Sequence, residues 1–284
     1  MTSPKRVRRM ATRSALALVV VVGVVAPVQW LRAASSDDAA VATAVAVRTG
    51  QRTQIDPIEP PPVEVGCLIG IVETVSTGID SRQRWKIGSI PTSNGWWKVA
   101  YASASGARGP IAVVGDSLTL GVLNQTMRGL VDAGYGPVCV DAGIGRRIPA
   151  STTSAVSSGV QVIARLRAGE AVWKRTDVRW VMALGTNDTR SYTTRYAGFI
   201  KLAMDTIGTT TRPVYWVNVR TLVPTYADVS EPYWNSLLPR TGVVVIDWWT
   251  ATKITPEIYF DNDLIHASPL GSALRVQITM AALT

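Results

Sequence analysis

Histidine is nearly absent from this chain of 284 residues: there is one, His266, beside only two cysteines, Cys67 and Cys139. Three such residues this far apart cannot supply the ligand spacing of a zinc site, so neither a metal nor any other cofactor is expected. Charge is scarce too. Only 17% of residues are charged against 47% hydrophobic, which excludes a disordered chain and leaves enough apolar mass for one good-sized core. Acidic residues are missing altogether from positions 1–32, where Lys5, Arg6, Arg8, Arg9, Arg13 and Arg32 lie; without those six the net charge of +9 falls to +3. A nucleic-acid partner is therefore not expected. The first long apolar run, Ala15–Val28, is shorter than the ~20 residues of an ideal membrane span and has Pro27 near its end. No G-x-S-x-G elbow occurs, which argues against the α/β-hydrolase fold.

A basic region followed by an apolar run at the N-terminus is the pattern of a signal peptide or a single membrane anchor, here residues 1–34. Ala33-Ala34-Ser35 offers a cleavage region, with Arg32 intruding, so removal and retention both stay open; if retained, the segment attaches the protein to a membrane. Either way the bulk of the chain is exported, in a secreted or envelope-anchored form. Two cysteines in an exported chain form a disulfide or stay as buried thiols, and spacing alone does not decide. Residues 35–65, with Pro57 and Pro60–Pro62, read as a stiff linker. Residues 66–106 read as a small β-extension, with strand-like stretches at Val63–Val75 and Trp96–Tyr101. Trp85, Trp96 and Trp97 in it suit either a platform for sugar rings or, the favoured reading, packing onto the main domain.

Residues 107–284 form the main domain. Buried strands are expected at Ile111–Gly115, Pro137–Asp141, Arg179–Leu184, Val214–Val219 and Val243–Asp247. Helical stretches at Leu118–Ala133, Ala155–Trp173, Tyr192–Ile207 and Leu270–Leu283 alternate with them. The alternation predicts a three-layer α/β/α sandwich around a mostly parallel five-stranded sheet, with ligands at the carboxyl ends of the strands.

The polar motifs fall at those ends. The first strand runs into Gly115-Asp116-Ser117-Leu118, a strand-to-helix turn that exposes Ser117 as a nucleophile, or merely makes it a helix cap. After the second strand, Gly143 can offer its N–H to a developing oxyanion, with Gly145 as an alternative. After the third, Gly185-Thr186-Asn187-Asp188 supplies Asn187, an amide donor that does not titrate. The last loop carries Asp263 and His266 three residues apart, close enough for the carboxylate to orient the ring; Asp261 competes for that role.

In this order the four blocks resemble the SGNH (GDSL-type) hydrolases, from about Ile111 to the C-terminus. G-D-S-L at 115–118 and G-T-N-D at 185–188 match fully, while the last block departs, with Leu264 where the family often has glycine and Ala267 where it often has proline. Val113–Ser117, Val140–Ala142 with Gly145-Arg146, Trp216–Arg220 and Ile246–Trp248 are similar to the extracytoplasmic SGNH domains of peptidoglycan O-acetyltransferases. The resemblance implies a catalytic set of Ser117, Asp263 and His266, and an oxyanion site from Ser117, Gly143 and Asn187. It implies removal of an O-acyl group, an acetyl foremost, from a cell-envelope glycan or other ester. The alternative is acyl transfer to such a glycan, with a separate membrane protein as acyl donor. A non-catalytic, wall-associated binding domain is the competing class. Arg146, Arg147 and Arg220 are candidates for an acceptor groove, or for the surface and core.

Overall fold

The computed structural model describes residues 67, 85–92, 95–150, 157–190 and 193–284, all within the compact unit Pro60–Thr284. The N-terminal apolar run, the whole of the linker and all of Val63–Val75 but Cys67 lie outside these residues. No helix among the described residues is long and apolar enough to cross a membrane.

One seven-stranded sheet organises the chain. Strands β1 (Lys86–Thr92) and β2 (Gly95–Ala102) form an antiparallel hairpin. Five parallel strands follow: β3 (Ile111–Gly115), β4 (Val138–Gly143), β5 (Arg179–Ala183), β6 (Val214–Val217) and β7 (Val244–Ile246). The order is β1-β2-β4-β3-β5-β6-β7. The five expected parallel strands are all present, and the hairpin adds two more to the same sheet, pairing β2 antiparallel to β4 with Trp97 opposite Gly143.

Side chains on β3 alternate between two cores, because successive residues of a strand face opposite ways. Ala112 and Val114 join Trp180, Trp216 and the inner faces of helices α3 (Gly159–Ala168) and α5 (Tyr196–Ile207). Ile111 and Val113 join Met127, Leu130 and Leu283 from α2 (Leu123–Asp132) and α8 (Pro269–Leu283). A strand buried on both faces is the continuous apolar run that the sequence shows at 111–115. The helices in chain order are α1 (Ser117–Gly121), α2 (Leu123–Asp132), α3 (Gly159–Ala168), α4 (Ala171–Lys174), α5 (Tyr196–Ile207), α6 (Glu231–Leu237), α7 (Trp248–Ala251) and α8 (Pro269–Leu283).

Departures from the expected boundaries have local causes. The helix expected over Leu118–Ala133 breaks after Gly121, where Val122 turns to φ −119°. Helix α3 begins at Gly159 rather than Ala155, because Ser158 caps it: Gln161 N–H donates to Ser158 Oγ, and Ser158 N–H donates to Gln161 Oε1. β6 stops at Val217 because side chains take over its hydrogen bonds. Val219 N–H donates to Asn235 Oδ1, and Asn235 Nδ2 donates back to the Val219 carbonyl. Residues 220–242, to which periodicity assigns no element, hold a π-helical turn at Tyr226–Ser230 that runs into α6.

Taken in chain order, the five parallel strands are arranged second, first, third, fourth, fifth. Connections leave in opposite directions on the two sides of the first and third strands, here β3 and β5, and such a switch point opens a crevice at their carboxyl ends. Ser117 follows β3 and Asn187 follows β5.

Candidate active site

Ser117 is the first residue of α1, and the cap is Asp116, whose Oδ1 accepts from Leu118 N–H at 3.0 Å. Ser117 is therefore not spent on capping. The turn is tight: a Cβ on Gly115 would lie 2.1 Å from Thr119 Oγ1, so only glycine fits there. Asp116 is fully buried. Burial pushes its carboxyl pKa up, against the pull of the Arg275 charge and of the Leu118 N–H. Arg275 reaches inward from α8, its guanidinium 5.4 Å from the centre of the Trp248 ring.

The second half of the site is the loop between Phe260 and Ala267, which face each other across an antiparallel bridge. Asp261 contributes backbone to it: its N–H donates to the His266 carbonyl at 2.8 Å, and its carbonyl accepts from Leu264 N–H at 2.9 Å. Asp263, not Asp261, makes the ring contact. Its Oδ1 accepts from the N–H of Ile265 at 2.9 Å and of His266 at 2.8 Å, and its Oδ2 lies 2.5 Å from His266 Nδ1. Nε2 of the same ring lies 2.9 Å from Ser117 Oγ, across 149 residues of sequence. With Nδ1 protonated, Nδ1–H donates to Asp263 and Ser117 Oγ–H donates to Nε2, the arrangement a serine nucleophile needs. Burial raises the Asp263 pKa, but the hydrogen bonds from the His266 ring and the two backbone N–H groups outweigh it, and the net shift is downward. The carboxylate that orients the ring thus stays ionised.

Leu264 sits between these two residues with φ 63°, in the left-handed region that favours glycine. The departure of this block from the family pattern thus falls where a glycine would relieve strain. The loop reaches that conformation regardless, and Leu222 N–H ties the Leu264 carbonyl down at 2.7 Å.

Around the nucleophile, Asn187 is 3% exposed and its Nδ2 donates to the Arg146 carbonyl at 3.1 Å, which leaves the second amide proton unspent in that bond. The preceding Gly185 has φ 129°, and a Cβ there would strike Val219 and Trp234 at 2.7–2.9 Å. Gly143 closes β4 and its carbonyl faces Arg146 N–H at 3.4 Å, while Gly145 takes φ 70° in the turn that follows. Asp188 accepts from Ile148 N–H, and burial raises its carboxyl to about 7. The structure therefore joins Ser117, His266 and Asp263 directly and sets Gly143 and Asn187 at the ends of the two strands flanking β3.

Arg146 does not line a groove: it has no exposed surface, because its guanidinium is turned inward onto Asp141 and Gly115. Trp97 also packs inward, donating from Nε1 to Asp141 Oδ1 at 2.6 Å. Arg220 is half-buried over Trp249, at 4.7 Å from the ring centre. The inward turn of Arg146 carries no sequence signal, since an Arg-Arg pair after a strand reads as surface. Nor does the sequence mark Glu231, which is fully buried and accepts from Thr221 N–H at 2.9 Å and Thr221 Oγ–H at 2.7 Å. Among the described residues no group of three His, Cys, Asp or Glu side chains is placed to hold a metal ion.

No family model matches this chain, and no curated protein matches it. Solved structures do. A lipase/acylhydrolase from Enterococcus faecalis is 16% identical over 61% of this chain and 95% of its own, with a TM-score of 0.45. The C-terminal catalytic domain of peptidoglycan O-acetyltransferase A from Streptococcus pneumoniae is 16% identical over 62% of this chain and 92% of its own, with a TM-score of 0.45. An acetyl xylan esterase from Geobacillus stearothermophilus is 13% identical over 63% and 95%, with a TM-score of 0.44.

Proposed function

We propose that this chain is a serine esterase of the SGNH type that removes O-acyl groups, acetyl foremost, from an exported glycan or related ester. The observation that carries the reading is His266, whose two ring nitrogens lie 2.5 Å from Asp263 and 2.9 Å from Ser117. In the first step Ser117 Oγ attacks the ester carbonyl carbon while its proton passes to His266 Nε2. The oxyanion is held by the Ser117 and Gly143 N–H groups and the Asn187 amide. Collapse breaks the ester C–O bond, and the imidazolium returns its proton to the departing alcohol. Water then gives a proton to Nε2 and attacks the acyl-serine carbonyl; collapse breaks the acyl C–Oγ bond, the imidazolium returns its proton to Ser117 Oγ, and the carboxylic acid is released.

The His266 and Asp263 side chains are 41% and 37% exposed, so water reaches the acyl-enzyme without a closing step, as hydrolysis requires; the same opening would admit a sugar hydroxyl for transfer. The Cys67–Cys139 disulfide supports an oxidising, extracytoplasmic setting. A binding domain that had lost turnover would have no need to keep this hydrogen-bonded set aligned.

The test is hydrolysis of a small chromogenic acetyl ester. Ser117→Ala should abolish it, and Asn187→Ala should lower kcat by ~100–1,000-fold, as expected for the loss of one oxyanion donor. Full activity in Ser117→Ala would remove the assignment. An acetyl donor supplied together with a glycan acceptor, followed by mass measurement of the sugar, separates transfer from hydrolysis.

A further inference from the structure

Arginine is almost never fully buried without a partner that requires it there. Arg146 is fully buried and its fork reaches three separate pieces of chain. Nη2 donates to Asp141 Oδ1 at 2.6 Å and Nη1 to the Asp141 carbonyl at 2.7 Å, both within β4. Nη1 also donates to the carbonyl of Gly115 at 3.0 Å, two residues before the nucleophile. Nε donates to the Ser157 carbonyl at 2.9 Å, just ahead of α3. The residue's own carbonyl accepts from Asn187 Nδ2 at 3.1 Å. One residue thus grips the chain beneath Ser117 with its side chain and the Asn187 amide with its backbone.

The surroundings keep the guanidinium in place. Asp141 is fully buried, and its second oxygen pairs with Arg165 from α3. Two guanidinium groups share that one carboxylate, so the cluster carries an excess positive charge. The Trp97 ring faces both cations, at 5.8 Å from Arg146 and 4.9 Å from Arg165, and its π-electrons offset part of that excess.

We propose that Arg146 is a positioning residue for acyl transfer, holding the β3 exit that bears Ser117 and aiming the Asn187 amide at the oxyanion. The proposal rests on the serine-esterase reading above. The geometry gives it a definite mechanism. An amide NH2 group is planar, so fixing one N–H on the Arg146 carbonyl fixes the direction of the other. Oxyanion donors work only when held within ~0.5 Å of the developing charge. A lysine would keep the charge but has no rigid fork to bind Gly115, Asp141 and Ser157 together. Arg146 has no exposed surface with which to touch substrate, so the consequence of replacing it falls on turnover and not on binding.

The experiment compares the full chain with Arg146→Lys, Asn187→Ala and the double variant on a chromogenic acetyl ester. Each is normalised to active sites titrated to completion with a sulfonyl fluoride, so a smaller folded fraction does not register as a slower enzyme. Arg146→Lys is expected to lower kcat per titrated site by ~100-fold with KM within ~3-fold of the parent. The double variant should lose at least ~10-fold less than the product of the single losses, because both act through one amide. Turnover per site within ~3-fold of the parent, or losses that multiply, would overturn the proposal. If Arg146→Lys gives no titratable protein, Asp141→Asn is read the same way: a ~10-fold loss in kcat at unchanged KM supports the proposal and an unchanged kcat overturns it. A parent chain that neither titrates nor turns over instead removes the esterase reading itself.

Discussion

Leu264 is an exposed leucine held at φ 63° by its neighbours. Left-handed backbone costs a residue with a Cβ about 1–2 kcal/mol, and here that strain sits between the two residues that orient each other. Leu264→Gly should therefore leave kcat intact and Tm unchanged or a few degrees higher. Relief of strain is opposed by the greater freedom of glycine in the unfolded chain. Leu264→Val, branched at Cβ, should lower both; thermal unfolding and initial rates on the same ester check the pair. That Ser117 and the lone His266 come together was readable in the sequence, because both sit in recognisable runs at strand ends. For the carboxylate, the residues themselves left Asp261 and Asp263 open, and only the family resemblance pointed to Asp263. That choice depends on Asp261 lending its backbone to the turn, a matter of hydrogen bonding that no residue type announces. The capping role of Asp116 and the burial of Arg146 were hidden for the same reason.

Glu231 opens α6, and its carboxylate holds Thr221, whose neighbour Leu222 in turn holds the Leu264 carbonyl. Burial, opposed by the hydrogen bonds from Thr221, raises the Glu231 pKa from 4.5 to about 7. Between those values the folded chain keeps a proton that the unfolded chain has released, so the stability this group contributes is greatest below about 4.5 and is lost as pH rises through about 7. The decline attributable to this one group is up to about 3 kcal/mol. Asp188, raised from 3.8 to about 7, acts in the same direction. Glu231→Gln should therefore shrink the fall in Tm between about pH 5 and pH 8 without removing it, as melting curves across that range would show; an undiminished fall would contradict the account. Periodicity missed α6 because Pro224, Pro232 and Pro239 punctuate the segment. Pro232 lies in the first turn of the helix, where the missing N–H has no intrahelical partner to lose.

Across the whole molecule, the alternation of apolar runs and helical stretches was enough to place all five parallel strands, since β3 and β4 are buried throughout, β5 and β6 at all but one residue, and the short β7, though exposed at Val244, is still a run of Val and Ile. The sequence could not show that the hairpin β1–β2 joins the same sheet, because pairing across an edge depends on register and not on composition. Nor could it decide the state of the cysteines. Cys139 lies in β4 and is bonded to Cys67, closing a loop with a sequence separation of 72 and a Cα–Cα distance of 6.0 Å. A loop of that length is worth about 4 kcal/mol through the entropy removed from the unfolded chain. Replacing both cysteines by serine should lower the free energy of urea unfolding by roughly that amount, and adding a reductant to the parent chain should reproduce the loss.

The hairpin has one further effect, on how copies of this chain behave toward one another. Without β2, strand β4 would end the sheet, and the backbone N–H and C=O groups it turns away from β3 would be unpaired, a ready template for a second chain. With the hairpin in place the sheet of the described residues ends at β1, where Pro91 has no N–H to offer, and at β7, which is three residues long. Both margins are poor templates. The hairpin thus covers a buried strand edge that would otherwise be open to pairing.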